Sequence, residues 1–149
     1  MATVDEVYVD PSALRALYVT DPRSPAMARW RMRLGGAVPI TRFGYAELIN
    51  AIALGQFRGD YGAVDCEGAM RDVQSDLEQN RLGWVDIFWR ATLDGAARLS
   101  REHAPRLGTR SLDVLHVASA LELRARHFVT YDVRQSRLAA SCSLKVIQP

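Results

Sequence analysis

The sequence predicts an α/β fold, a three-layer α/β/α arrangement in which a central parallel sheet is covered by helices on both faces. Three observations in its 149 residues carry this. Short apolar runs alternate with helix-length amphipathic segments from end to end. No two neighbouring apolar runs carry a hairpin signal between them, so the strands are expected to be parallel. The segment 111–124 is apolar around nearly its whole circumference, as a buried helix requires.

Taken in order, residues 7–9 form a short strand. Asp10 ends it, and Pro11 suits the first position of a helix over 12–18. Asp21-Pro22-Arg23-Ser24-Pro25 breaks the chain. Ser24 or Asp21 caps a second helix over 26–34, which Gly35-Gly36 ends. A second strand over 37–41 is weakened by Pro39. Helices over 45–54 and about 64–80 follow, the latter with Met70, Val73 and Leu77 on one stripe. Residues 84–87 read as a brief strand, and 89–103 as a helix stopped by Pro105. The buried helix 111–124, a strand over 128–131, a helix over 133–140 and a strand over 144–147 complete the chain. There is no internal repeat, low-complexity tract or linker, and the length suits one domain over 1–149.

Composition excludes several classes. Hydrophobic residues at 48% and charged residues at 24% are ordinary for a soluble globular protein. No apolar run approaches the roughly 20 residues of a membrane helix. The N-terminus, Met1-Ala2-Thr3-Val4-Asp5-Glu6, is acidic and lacks a signal-peptide apolar region, so a cytoplasmic protein is expected. Cys66 and Cys142 have no nearby cysteine partner and read as small buried thiols. The net charge of +2 does not by itself indicate nucleic acid. Lys145 is the only lysine; every other basic chain is arginine, which grips phosphate as a fork but also reflects a GC-rich genome.

Four carboxylates are expected at one edge of the sheet. In open parallel sheets, ligands bind beyond the carboxyl ends of the strands, where the strand order reverses. Asp10 and Asp132 follow strands directly. Glu47 lies just after the second strand, and Asp113 in the first turn of the buried helix. Each has an ordinary role open to it: Asp10 and Asp132 as helix caps, Asp113 as a helix-dipole partner, Glu47 as a solvated side chain. Their common edge is harder to explain that way. Carboxylates close together repel by about 4 kcal/mol per pair at 4 Å in a surface-like dielectric. A divalent ion converts that repulsion into coordination, and Mg²⁺ or Mn²⁺ prefers oxygen ligands. A metal-bound water is a stronger nucleophile, which suits phosphodiester hydrolysis.

The pieces Val9-Asp10-Pro11-Ser12-Ala13-Leu14, Ala46-Glu47-Leu48, Arg110-Ser111-Leu112-Asp113-Val114-Leu115-His116-Val117-Ala118-Ser119-Ala120 and Val129-Thr130-Tyr131-Asp132 resemble the PIN-domain family. The likeness is specifically to the VapC-type toxins of bacterial toxin–antitoxin pairs. It spans almost the whole chain, most weakly from about 55 to 103. The resemblance implies an acidic quartet at Asp10, Glu47, Asp113 and Asp132 that binds Mg²⁺ or Mn²⁺, with accessory hydroxyls at Ser12 and Thr130. It implies a metal-dependent endoribonuclease that cuts structured cellular RNA, tRNA or rRNA, and slows translation. It also implies a homodimer and a cognate VapB-like, DNA-binding antitoxin whose tail lies in the active-site groove. Pro11 departs from the small or hydroxyl residue common there, and suits a first helical position all the same.

Other candidates are weighed against plainer roles. Arg110, Arg134 and Arg137 are placed to reach RNA phosphates, or to make a solvated face. His116 neighbours Asp113 on the helix and reads as a core histidine or a support for the site. His103 and His127 lack metal-ligand partners. Arg29-Trp30-Arg31-Met32-Arg33 mixes cations with an aromatic, as single-strand binders do, but an amphipathic helix explains it better. A haloacid-dehalogenase-type phosphatase would want an acid at position 12, where Ser12 stands. A receiver domain would want a lysine before the last strand. A non-catalytic PIN scaffold would be expected to have lost acidic residues, and this chain keeps all four.

Overall fold

The first strand, β1 (Val7–Val9), is buried on both sides, and its alternation assigns one side to each half of the core. Val7 and Val9 pack into one apolar cluster and Tyr8 into another, because successive strand side chains point to opposite faces. The computed structural model describes residues 6–149. The acidic N-terminal reading of residues 1–5 lies outside them.

The elements run β1, α1 (Pro11–Arg15), α2 (Ser24–Arg33), β2 (Val38–Ile40), α3 (Arg42–Arg58), α4 (Ala63–Glu78), β3 (Leu82–Trp84), α5 (Trp89–Leu107), α6 (Ser111–Glu122), β4 (His127–Val129), α7 (Val133–Ser141) and β5 (Lys145–Ile147). All ladders are parallel. β1, β4 and β5 form one hydrogen-bonded ladder, in that order, and β2 pairs with β3 in a second. β2 also lies alongside β1, so the spatial order is β3-β2-β1-β4-β5. The chain moves outward from β1 to β2 and β3 on one side, and to β4 and β5 on the other. The order therefore reverses between β1 and β4, which is where a ligand crevice opens in such sheets.

Helices cover both faces. Leu14, Met27, Leu48, Ile52 and Val73, from α1 to α4, pack with Val7, Val9 and Val129. Val114, Val117, Leu138 and Ala139, from α6 and α7, pack with Tyr8 and Phe128, and α5 adds Ala96 and Leu99. No described helix is long and apolar enough to cross a membrane.

Several boundaries differ from the sequence reading. α3 begins at Arg42 rather than 45, because Thr41, read as strand, is its N-cap and accepts from Gly44 N at 2.9 Å. It runs on to Arg58, where Gly59 closes it at φ +79. α1 stops at Arg15 rather than continuing to 18. α2 is capped by the backbone turn at Arg23 and not by Ser24 or Asp21; Asp21 Oδ1 instead takes Arg23 N at 2.8 Å. β3 lies at 82–84, not 84–87, since its register with β2 sets Leu82 opposite Val38 and buries it. α5 passes through Pro105 and ends at Gly108. Proline there sits in the last turn and removes only one helical bond. α6 is buried along most of its length, but Leu112 and Leu121 reach solvent.

Candidate active site

Local chain chemistry puts each carboxylate at the sheet's carboxyl edge. Asp10 leaves β1 with extended backbone and caps α1, its side chain accepting from Ser12 N at 3.3 Å. Asp132 does the same after β4, accepting from Gln135 N at 2.8 Å. Asp113 is the third residue of α6 and folds back on the helix start, accepting from Arg110 N at 3.1 Å. Glu47 projects from the second turn of α3. The ordinary roles of caps and first-turn acids are therefore all real. They also turn the four side chains toward one open cleft of about 500 Å³, lined further by Pro11, Ser12, Asn50, Leu54, Arg110 and Gln135.

The carboxylates are not bunched. Among the described residues, no three His, Cys, Asp or Glu side chains are gathered closely enough to hold an ion as they stand. They fall into two pairs, each with its own positive or proton-donating partner. Arg110 lies between Asp113 and Asp132, with Nε 3.2 Å from Asp113 Oδ2 and Nη2 3.8 Å from Asp132 Oδ2. His116 Nε2 lies 2.6 Å from Glu47 Oε2 and 3.9 Å from Asp10 Oδ1. The mutual repulsion expected of a bare quartet is thus relieved within the fold.

Asp10 is the most enclosed, 2% exposed. Burial pushes its carboxyl above the usual aspartate range. The nearby His116 and hydrogen bonds from Ser12, Gln135 and Thr130 pull the other way. The Ser12 and Thr130 hydroxyls both donate to Oδ2, the latter at 3.2 Å, and Thr130 also accepts from Asp132 N at 2.9 Å. Both accessory hydroxyls are therefore in the site. Burial, and then Asp10, raise the Tyr8 phenol well above its ordinary value, so its proton stays on. Arg110 is held still more firmly cationic by Asp113.

Arg134 and Arg137 are exposed on α7 and do not line the cleft; Arg110 does. His103 is buried on α5 beside Arg106 and Glu102, and His127 lies on β4, both apart from the carboxylates. Sequence reasoning missed Tyr8, Phe43, Asn50 and Gln135. Two of these carried a signal. A tyrosine in an all-buried strand needs a hydroxyl partner. Gln135 stands three residues after the Asp132 cap, the spacing of a capping box. It donates to Asp113 Oδ1 at 3.3 Å.

The donor set suits a hard divalent cation, since four carboxylates supply only oxygen. One further atom agrees: Gln135 Oε1 is buried beside Asp113 with no hydrogen-bond partner. Asp10, Glu47, Asp113 and Asp132 are the residues that would hold such an ion, with the Arg110 side chain moved aside from Asp113 and Asp132.

A family model described as PIN domain matches residues 7–141, from β1 through α7. No curated protein matches the chain.

Proposed function

This chain belongs to the PIN-domain family, whose members are generally nucleases, and from that premise we propose that it is a metal-dependent endoribonuclease acting as the toxin of a toxin–antitoxin pair. The observation that carries this reading is the convergence of Asp10, Glu47, Asp113 and Asp132, from four separate elements, on one cleft at the reversal of strand order.

In this reading, Mg²⁺ or Mn²⁺ is held by those four carboxylates, and when bound it supplies a more acidic water and neutralises charge on the scissile phosphate. The chain's own residues do the rest. Ser12 and Thr130 hold Asp10 through Oδ2 and so fix the orientation of its carboxylate. Arg110 is two-thirds exposed, so it is free to exchange Asp113 for an RNA phosphate, which its planar fork binds well. Arg134 and Arg137 lie beyond Asp132 and extend that phosphate track. Substrates are structured cellular RNAs, tRNA or rRNA, whose cleavage halts translation in the cytoplasm. The partner is a VapB-like, DNA-binding antitoxin whose tail offers an Arg or Lys to the quartet, and the toxin works as a homodimer.

The test is RNA-end mapping after induction, with Asp10→Asn as control, followed by cleavage assays on the purified chain. Discrete new 5′ ends that require Asp10 and a divalent ion are expected. Cleavage that persists in excess chelator would remove the metal-dependent reading.

A further inference from the structure

Glu47 is held differently from the other three carboxylates. Asp10, Asp113 and Asp132 each accept a backbone N–H at the start of a helix, so the chain itself fixes them. Glu47 sits inside α3, on a longer side chain with more rotatable bonds. Among the described residues its carboxylate takes one hydrogen bond, the 2.6 Å contact with His116 Nε2.

His116 is well placed to set a direction. It lies on α6 one turn beyond Asp113, on the same helix face. It is fully buried, and its ring stacks on Phe43 with centroids 4.5 Å apart and planes 27° from parallel. Its Nδ1 lies 2.7 Å from the Tyr8 hydroxyl. A carboxylate only accepts, so Nε2 carries the proton toward Glu47, and the Tyr8 hydroxyl is the partner of Nδ1. Tyr8 is two residues ahead of Asp10 on β1. The series Tyr8, His116, Glu47 therefore ties the carboxylate of α3 to the strand and the helix that supply Asp10 and Asp113.

We infer that His116, oriented by Tyr8 and Phe43, is the positioning residue for Glu47, and that it fixes how the fourth carboxylate is presented to a cation in the cleft. The inference rests on reading the cleft as a metal-dependent nuclease site. Groups that orient metal ligands without touching the metal typically change its affinity 10–100-fold when lost. The effect belongs to ion binding first and to turnover second.

The experiment is a Mn²⁺ titration of the purified full chain by electron paramagnetic resonance, with RNA cleavage and thermal melts in parallel. The variants are His116→Asn, His116→Gln, Tyr8→Phe and Glu47→Gln. Glutamine carries an amide N–H near the Nε2 position, whereas asparagine is too short to reach Glu47. His116→Asn is expected to weaken Mn²⁺ binding by about 10–100-fold, as Glu47→Gln does, with His116→Gln recovering most of the loss and Tyr8→Phe falling between. Cleavage by His116→Asn should be regained by raising the Mn²⁺ concentration, with kcat nearly restored. Wild-type affinity in a folded His116→Asn, or His116→Gln no better than His116→Asn, overturns the inference while leaving the nuclease reading intact. If His116→Asn does not fold, Tyr8→Phe decides: unchanged Mn²⁺ affinity there overturns it equally. A wild type that neither binds Mn²⁺ nor cuts RNA removes the nuclease reading and this inference together.

Discussion

Arg110 closes on Asp113 twice, once through its backbone N at 3.1 Å and once through Nε at 3.2 Å, both to the same carboxylate oxygen. The backbone bond belongs to the start of α6 and stays wherever the side chain goes. The guanidinium is 66% exposed and removable, and it also reaches Asp132. One residue thus neutralises half of the acidic cleft from a position open to solvent.

Removing that side chain separates its two uses. Arg110→Ala should bind Mn²⁺ more tightly than wild type, because Asp113 and Asp132 lose their internal counter-ion. It should bind RNA less well, because a phosphate fork is gone. Stability should change by less than about 1 kcal/mol, as for other solvent-exposed ion pairs. Calorimetric Mn²⁺ titrations and filter binding with uncleavable RNA read the two effects. Weaker metal binding in the variant would show that Arg110 organises the site rather than competing for it.

Neutralising the carboxylates tests catalysis. Asp10→Asn, Asp113→Asn and Asp132→Asn should each slow RNA cleavage by at least about 100-fold, since each removes charge from a metal site. Near-normal rates in Asp113→Asn would assign that residue to capping alone.

Asp10 gives a pH signature. Its folded-state pKa is raised, chiefly by burial, so its contribution is most favourable below the ordinary aspartate value near 4. That contribution is lost as pH rises through the folded value, leaving a buried charge at neutral pH. Asp10→Asn, which caps about as well, should stabilise the metal-free protein at pH 7 by about 1 kcal/mol. The gain should vanish in acid. Chemical denaturation of both proteins in chelator across pH 3.5–8, roughly bracketing the ordinary carboxylate range, measures it. Added Mg²⁺ should then favour wild type over the variant. A gain that grows toward low pH would contradict the sign.

Gly55 tests the helix that carries Glu47. A helical Gly→Ala change ordinarily stabilises by up to about 1 kcal/mol. Here the new Cβ would collide with the Tyr61 ring and hydroxyl, which donates to Ile52 O at 2.6 Å. Gly55→Ala should instead cost about 1–3 kcal/mol, as overpacking does. Urea melts of Gly55→Ala, and of Gly55→Ala with Tyr61→Ala, should show the second change relieving the first.

The proposed partner makes the last prediction. Co-expression with the cognate antitoxin should abolish cleavage. Replacing the Arg or Lys its tail offers should restore cleavage without releasing the complex fully, because that cation would take the place Arg110 holds here. A tight complex that still cuts RNA would put the partner on another surface.

How much was legible depends on the range over which each feature is decided. The alternation of strands and helices, the parallel sheet, and the positions of Asp10, Asp113 and Asp132 at element ends could all be read from the chain. Strand period, helix period and caps involve residues two to four apart. Thr41 was legible in the same way, as a cap, but its strand-like neighbours Val38 and Ile40 hid it and moved the start of α3.

Pairings decided across the fold could not be read. Tyr8 and His116 are 108 residues apart in sequence, and His116 and Glu47 are 69 apart. The register that buries Leu82 exists only because β2 lies beside it. Arg110 is a sequence neighbour of Asp113, but its reach to Asp132 follows from α7, which Asp132 caps, packing against α6. The sequence alone determined which elements form and which ends carry acid, because those are local choices of backbone and cap. The packing of the layers decided that Glu47 meets His116 and that Arg110 reaches Asp132 as well as its local partner Asp113, because side chains far apart in sequence meet only where the layers close.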